Sequence, residues 1–238
     1  MDPILNVENL AVQLDGRPVI QGLSFQADPG ETIMIIGPNG AGKTTLFRAL
    51  MGFIPYHGRI AWKPGIRLGY VPQGVDVNRE FPLAVRELFH LGKQRLDDGE
   101  IEKALALVNA ASLSRRALSN LSSGEFQRVL IAFALAEKPD ALLFDEPTSD
   151  IDIGGQETIY HRLEHIAREH GLTLLMISHD LNVVLRFASK VLCLNQGFKC
   201  LGKPMEILTP DLLRQLYGSE VGFYRHTHGA RPDPSRPL

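Results

Sequence analysis

The residues with the clearest chemical meaning form the segment GPNGAGKTT, at positions 37–45. It fits the pattern G-x-x-x-x-G-K-[ST], with an apolar strand predicted before it and a helix after it. Glycines let the backbone curl so that successive N–H groups point at one anion, and the positive end of the helix adds to the attraction. The lysine can reach the β- and γ-phosphates of a nucleotide, and the threonine hydroxyl can ligate Mg²⁺. The segment therefore predicts a nucleotide-binding site. Its candidate contact residues are Gly37, Pro38, Asn39, Gly40, Ala41, Gly42, Lys43, Thr44 and Thr45.

Two acidic residues follow a second predicted strand. Residues 141–144 are an apolar run, and Asp145 and Glu146 come directly after it. Such a pair is ordinarily a solvated loop, but ligands of open α/β sheets bind at the carboxyl ends of the strands, where the phosphate loop also lies. We therefore expect Asp145 to support Mg²⁺ and Glu146 to polarise an attacking water as the general base.

The elements that must position these residues alternate along the chain. Apolar strands interleaved with helices predict an α/β core with a mostly parallel sheet. Residues 4–24 predict an antiparallel hairpin, and residues 59–73 predict a second one, turned at Pro64-Gly65. Helical spacing between about residues 74 and 121 predicts a helical insertion, and the Pro-rich tail over residues 225–238 is predicted to be poorly ordered.

Composition narrows the class of protein. The chain has 238 residues and a formal net charge of −2, which gives no argument for nucleic acid as a partner. No apolar run reaches the roughly 18–20 residues that a membrane-spanning helix needs. The first residues lack the basic and apolar stretches of a cleavable signal, so we expect a cytosolic protein whose membrane role, if any, comes through a partner. Cys193 and Cys200 lie in a predicted hairpin and are expected to be small buried residues rather than a disulfide.

Five ordered segments resemble the ATP-binding cassette (ABC) family: GPNGAGKTT, YVPQ, LSSGEFQRV, LLFDEPTSDID and ISHD. The resemblance reaches to about Ala188. It implies a P-loop NTPase (RecA-like) α/β core with an N-terminal antiparallel β subdomain and an inserted helical subdomain, all in one domain over residues 1–224. It also implies that the chain hydrolyses ATP with Mg²⁺.

The resemblance implies a second copy of the chain as a partner. In this family the signature turn caps the ATP that the facing subunit's phosphate loop holds, so two half-sites become complete only when two cassettes close around nucleotide. A turn that opens a helix suits a phosphate group, because the first N–H groups of the helix point outward. The matching residues are Ser122, Ser123, Gly124 and Glu125.

Four further residues match family positions. Gln73 matches the glutamine that joins the Mg²⁺ shell and borders the surface that docks the membrane subunit. His179 matches the histidine that contacts the γ-phosphate and orients the base. Asp150 and Asp152 match the loop that crosses the dimer interface. Outside this context each would be interpreted as an ordinary polar residue.

Two positions depart from the family pattern. Ser123 replaces the usual second glycine of the signature turn, which would matter if that position needs a positive φ. Leu14 stands where the family usually has an aromatic residue that stacks on adenine. We expect Leu14 to weaken adenine binding and to loosen the choice between ATP and GTP.

The segment YVPQGVDVNREFPLAVREL and the C-terminal segments resemble metal-cation importers for zinc and manganese, above all the ATPase subunits of high-affinity zinc importers. This implies integral membrane permease subunits and, indirectly, a metal-binding protein as partners, no nucleic acid, and a place on the cytoplasmic face of the membrane. Manganese or iron import, an export or lipid-handling cassette, and a cassette that acts on ribosomes or DNA remain alternatives. The pairs His161/His165 and His226/His228 are interpreted as solvated residues rather than metal sites.

Overall fold

The computed structural model describes residues 2–73, 83–146, 153–195 and 198–218. Within these ranges the strands are β1 (Leu5–Leu14), β2 (Arg17–Ala27), β3 (Thr32–Ile36), β4 (His57–Trp62), β5 (Leu68–Val71), β6 (Ala141–Asp145), β7 (Thr173–Ile177), β8 (Lys190–Asn195) and β9 (Phe198–Gly202). The α-helices are α1 (Lys43–Leu50), α2 (Val85–Phe89), α3 (Asp98–Leu107), α4 (Ser123–Ala136), α5 (Ile153–His170), α6 (Leu181–Phe187), α7 (Pro204–Ile207) and α8 (Pro210–Tyr217).

The strands form two sheets. The smaller sheet has the order β2-β1-β4 and is antiparallel. The larger has the order β5-β6-β7-β3-β8-β9, and its strands pair in parallel except for β9, which is antiparallel to β8. The predicted α/β core with a mostly parallel sheet and an N-terminal antiparallel part is confirmed.

The hairpin predictions have mixed outcomes. The first is confirmed, since β1 and β2 pair around a tight turn in which Leu14 faces Arg17. The second is wrong, because β4 pairs antiparallel with β1 whereas β5 pairs in parallel with β6. The Pro64-Gly65 turn therefore carries the chain from one sheet to the other. A local turn signal cannot distinguish a hairpin from such a crossing.

Cys193 and Cys200 form a disulfide, so the expectation of two unlinked thiols is wrong. The predicted hairpin itself is confirmed as β8 and β9, and its register places the two cysteines directly opposite each other with Cα atoms 4.9 Å apart. That separation lies within the range that a disulfide can bridge.

The large sheet is covered on both faces, which explains why its central strands are apolar throughout. Alternate residues of β3 enter different cores. Met34 and Ile36 pack with α4, α5 and the helical segment, while Ile33 and Ile35 pack with α1 and the antiparallel sheet. Because both faces are closed, only the strand ends are left to carry a site.

The order β6-β7-β3 fixes where the candidate residues lie. Asp145 at the end of β6 is in register with Ile177 at the end of β7, which in turn pairs with Ile35 of β3. The segments that follow these strands therefore leave the sheet at one edge. These segments carry the phosphate loop, the acidic pair and His179.

The helices between residues 85 and 121 pack on α4 and are tied together by backbone hydrogen bonds, such as Val85 N–H to Arg116 O at 2.9 Å and Leu118 N–H to Leu83 O at 2.8 Å. The boundaries of the helical insertion, 74–121, and of the domain, 1–224, stay predictions. Residues 74–82 and the tail with His226 and His228 lie outside the described residues. In the described part of the chain, no helix has the length and apolarity to cross a membrane.

Candidate functional site

The phosphate loop joins β3 to α1 through a backbone that only glycine can follow at its two ends. Gly37 has φ 154°, and a Cβ there would overlap the carbonyl oxygen of Leu194 in β8. Gly42 has φ 95°, and its Cβ would lie 2.9 Å from a methyl carbon of Val19. The loop is thus held closely by β8 and β2, and its conformation is built into the packing.

Lys43 is buried beneath this loop, with 8% of its surface exposed. Its Nζ donates to the carbonyl oxygens of Gly37 at 2.9 Å and Pro38 at 3.1 Å, which uses two of its three N–H donors. Burial lowers the pKa of the ammonium group, while the charges of Glu146 and Asp145 oppose that shift. The arrangement holds a cation at the loop where it can meet an anion.

Asp145 lies next to Thr44. The Thr44 hydroxyl donates to Asp145 Oδ1 at 3.3 Å, and Asp145 is 2% exposed. Burial raises the pKa of this carboxyl group, and the hydrogen bond from Thr44 partly offsets the rise. One hydroxyl and one carboxylate oxygen at the end of a strand are the kind of ligands that Mg²⁺ takes from proteins, so the residues present fit that ion.

Sequence reasoning missed Tyr70, which lies on β5 beside β6. Burial and the charge and hydrogen bond of Asp145 raise the pKa of its phenol. The signal was present in the segment YVPQ, because the tyrosine lies three residues before Gln73. Only the parallel pairing of β5 with β6 shows that it faces the carboxylate.

Asp145→Asn is expected to raise the melting temperature of the nucleotide-free protein by a few degrees at neutral pH. The raised pKa means that burial penalises the charged carboxylate, and the neutral amide avoids that penalty. For an acid whose pKa is raised on folding, the penalty grows as pH rises through the gap between its unfolded and folded values. The gain should therefore fade below the ordinary aspartate pKa, near 4, where both side chains are neutral. Thermal unfolding from pH 3 to 8 tests this, and a variant less stable at all pH values contradicts it.

Gln73 and Glu146 meet although 73 positions separate them. Gln73 Nε2 donates to Glu146 Oε2 at 2.8 Å. Glu146 also has φ 45°, a left-handed backbone that non-glycine residues seldom adopt and that is enriched at functional sites. The sharp turn after β6 thus directs a carboxylate toward the amide at the end of β5.

His179 follows β7 at the same edge of the sheet. Ser178 before it is buried and accepts from the Asp180 N–H at 3.1 Å, and Asp180 caps α6 by accepting from the Asn182 N–H at 2.8 Å. The imidazole itself is exposed. Among the described residues, no hydrogen bond joins His179 to Glu146, so the structure places it at this edge without bringing it into contact with the base candidate.

The signature turn opens α4 with a reciprocal cap. Ser122 Oγ accepts from the Glu125 N–H at 3.3 Å, and Glu125 Oε2 accepts from the Ser122 N–H at 2.8 Å. Arg116 Nη1 donates to the other Glu125 oxygen at 2.7 Å. The hydrogen bond from the Ser122 backbone is the main cause that lowers the pKa of Glu125, so its charge is committed to the cap.

Ser123 is the first residue of α4 and does not have a positive φ. The backbone at this position therefore does not require glycine. Ser122 and Ser123 are exposed, and within the described ranges their turn makes no hydrogen bond with residues 37–45. Asp150 and Asp152 lie outside the described residues.

The sequence is similar to those of proteins with known names and families. The ABC transporter family model matches residues 20–149. The zinc import ATP-binding protein ZnuC of Yersinia enterocolitica is 38% identical, over 98% of this chain and 94% of that protein. ZnuC of a Jannaschia species is also 38% identical, over 91% of this chain and 89% of its own length.

Solved structures of ABC transporter ATPases have the same fold as this chain. One chain, from a transporter described as an ABC transporter of the metal-chelate type in an inward-facing conformation, has a TM-score of 0.82 at 28% identity and matches 91% of this chain and 89% of its own. CbiO1 of Clostridium perfringens, part of the ABC transporter complex cbiONQ, has a TM-score of 0.78 at 28% identity, with 90% and 94% covered. The predicted P-loop NTPase fold is confirmed.

Proposed function

This chain belongs to the ABC transporter family and is an ATP hydrolase of that family, and we propose that it powers a membrane importer for zinc. The observation that carries the zinc assignment is the 38% identity, over 98% of the chain, to a zinc import ATP-binding protein. The partners that follow are integral membrane permease subunits and, through them, a metal-binding protein. The place of action that follows is the cytoplasmic face of the membrane.

We propose that the ATP phosphates bind in the loop from Gly37 to Thr45, because its glycines have positive φ values that allow a tight anion-binding curl and because the Lys43 cation is held against the loop. The Lys43 ammonium would pair with the terminal phosphates. Thr44, Asp145 and Gln73 would hold Mg²⁺, which when bound neutralises phosphate charge.

Glu146 is proposed as the general base that takes a proton from the attacking water. Gln73 would position it, since the amide donates to one carboxylate oxygen and leaves the other to face the water. His179, at the end of the neighbouring strand β7, would contact the γ-phosphate.

A second copy of the chain would complete the site. The turn at residues 122–125 begins with two exposed serine hydroxyl groups at the N-terminal end of α4, which suits a phosphate. Among the described residues its side-chain hydrogen bonds are those of the cap and the one from Arg116 to Glu125. We propose that this turn caps the ATP bound by the partner subunit, and that Asp150 lies in the interface loop.

Mixing two inactive variants tests this arrangement. Lys43→Ala disables a phosphate loop, and Ser123→Arg disables a signature turn by adding bulk and blocking the phosphate. A mixed dimer retains one intact composite site, so an equal mixture should recover about one quarter of wild-type turnover by random pairing. Each variant alone is the control. A mixture no more active than either variant would contradict a site shared between subunits.

Leu14→Tyr is expected to tighten ATP binding about threefold to tenfold and to sharpen the preference for ATP over GTP, since a stacked aromatic ring stabilises a base. Leu14 ends β1 and is 39% exposed, so a larger ring can be accommodated. Fluorescence titration with both nucleotides measures the change, with Leu14→Met as the control for size. Unchanged affinities would show that this position does not meet the base.

A further inference from the structure

A cavity of about 560 Å³ opens at the edge of the large sheet opposite the phosphate loop. Pro139 and Asp140, which precede β6, and Leu172, which precedes β7, contribute to its wall. The residues of the nucleotide site follow the other ends of these same strands. Since each strand has five residues, about 16 Å separates the cavity from that site.

Apolar side chains form most of the interior. They come from α3, the end of α4, α5, the segment before α3 and the connection from α5 to β7, and include Leu96, Ala104, Leu135, Ile166 and Leu172. The volume lies within the range of about 300–1,000 Å³ that is typical of small-molecule sites, which likewise combine an apolar interior with a few polar groups. Shape and lining therefore suit a ligand with an apolar body.

The two carboxylates at the mouth, Asp140 and Glu100, both accept hydrogen bonds from neighbouring residues. Asp140 is occupied by Arg67, whose backbone N–H and Nε donate to Oδ2 at 2.9 and 3.2 Å and whose Nη2 donates to Oδ1 at 3.2 Å. Glu100 accepts from the Asp97 N–H at 3.0 Å and so belongs to the cap of α3.

Lys103 and Lys138 also line the cavity, and neither has an ion-pair partner in the ranges that the structure describes. His170 completes the polar part of the lining. The lining thus carries the cations Arg67, Lys103 and Lys138 against the carboxylates Glu100 and Asp140, and the two ammonium groups have no ion-pair partner among the described residues, which favours an anion.

We propose that this cavity binds an amphipathic organic anion, a medium-chain alkyl carboxylate, with its chain against the apolar interior and its carboxylate at Lys103 and Lys138. The occupant would contact α3 of the helical segment and, at the same time, α5 and the start of the central strands. It would therefore stabilise the docking of the helical segment on the core. Binding in this cavity would require neither zinc import nor an occupied nucleotide site.

Calorimetric titration of the full chain with hexanoate, octanoate and decanoate tests the proposal. Affinity should rise about threefold to fourfold for each added CH₂ group that is buried. Decanol and decyltrimethylammonium should bind at least about tenfold more weakly than decanoate, because they lack the carboxylate. Decanoate should also raise the melting temperature of the protein.

Matched variants locate the site. Lys103→Glu should weaken decanoate binding about tenfold or more, whereas Arg115→Glu, the same charge change at an exposed position outside the cavity, should leave it unchanged. Ala104→Phe, which fills the cavity, should abolish binding, with a thermal unfolding curve to show that the variant is folded. Binding should persist in Lys43→Ala, which separates this site from the nucleotide site.

Three results would overturn the proposal. One is the absence of saturable decanoate binding to the wild-type chain. Another is binding of decyltrimethylammonium as tight as that of decanoate, which would show that the cavity does not select an anion. The third is unchanged decanoate affinity in Lys103→Glu, which would place the binding elsewhere on the protein.

Discussion

Glu146→Gln is expected to lower ATP turnover by about 100-fold to 10,000-fold while leaving ATP binding intact. The amide has the shape of the carboxylate but cannot take a proton from water. Its oxygen can still accept the hydrogen bond from Gln73 Nε2, which now spans 2.8 Å, so the local structure should be retained. Because hydrolysis is blocked after binding, ATP should accumulate in the protein and hold it as a dimer.

Single-turnover hydrolysis and size-exclusion chromatography with and without ATP measure both effects. Glu102→Gln is a matched control, since it makes the same change at an exposed glutamate in α3. It should keep wild-type turnover and should not change the dimer. Wild-type turnover in Glu146→Gln would remove Glu146 from the role of general base.

Lys43→Ala is expected to lower ATP affinity about 100-fold or more. The substitution removes the cation that would meet the phosphates, and it also removes the two hydrogen bonds that tie Nζ to the carbonyl oxygens of Gly37 and Pro38. The loop would lose its charge and part of its internal support together.

Isothermal titration with ATP tests the lysine, and circular dichroism shows whether the variant folds. Lys93→Ala is the control, because it removes an exposed lysine far along the chain from the loop. Affinity close to wild type in Lys43→Ala would show that the phosphates do not meet this side chain, and the assignment of the loop would fail with it.

The strands and helices around the site could be predicted because the signals that define them are local. The apolar run at 141–144 became β6, which also includes Asp145, and the pattern G-x-x-x-x-G-K-[ST] became the loop between β3 and α1. The position of the residues at one edge followed from the general behaviour of parallel sheets.

The remaining features depend on which strands pair, and local signals do not contain that information. The Pro64-Gly65 turn favours a hairpin, yet β4 pairs with β1 in the small sheet whereas β5 pairs in parallel with β6 in the large one. The same pairing creates the contacts of Gln73 with Glu146 and of Tyr70 with Asp145. Family resemblance supplied Gln73, and the same segment YVPQ contains Tyr70, but the contact of Tyr70 with Asp145 depends on the pairing of β5 with β6.

The disulfide was missed for a different reason. A reducing compartment disfavours a disulfide, whereas the register of β8 and β9 brings Cys193 and Cys200 together whatever the compartment. At Ser123 the family pattern, which has a glycine there, suggested a positive φ that the structure does not show. The residue is simply the first of α4, a position that serine occupies without strain.

The most direct test of the central proposal is the total zinc and manganese content of cells that carry or lack this gene, grown under metal restriction. Zinc import predicts a selective fall in zinc, restored by the wild-type chain and not by Glu146→Gln. A selective fall in manganese would keep the importer and change its cargo. Zinc and manganese contents that are both unchanged by loss of the gene would contradict the proposal that this ATPase drives zinc import.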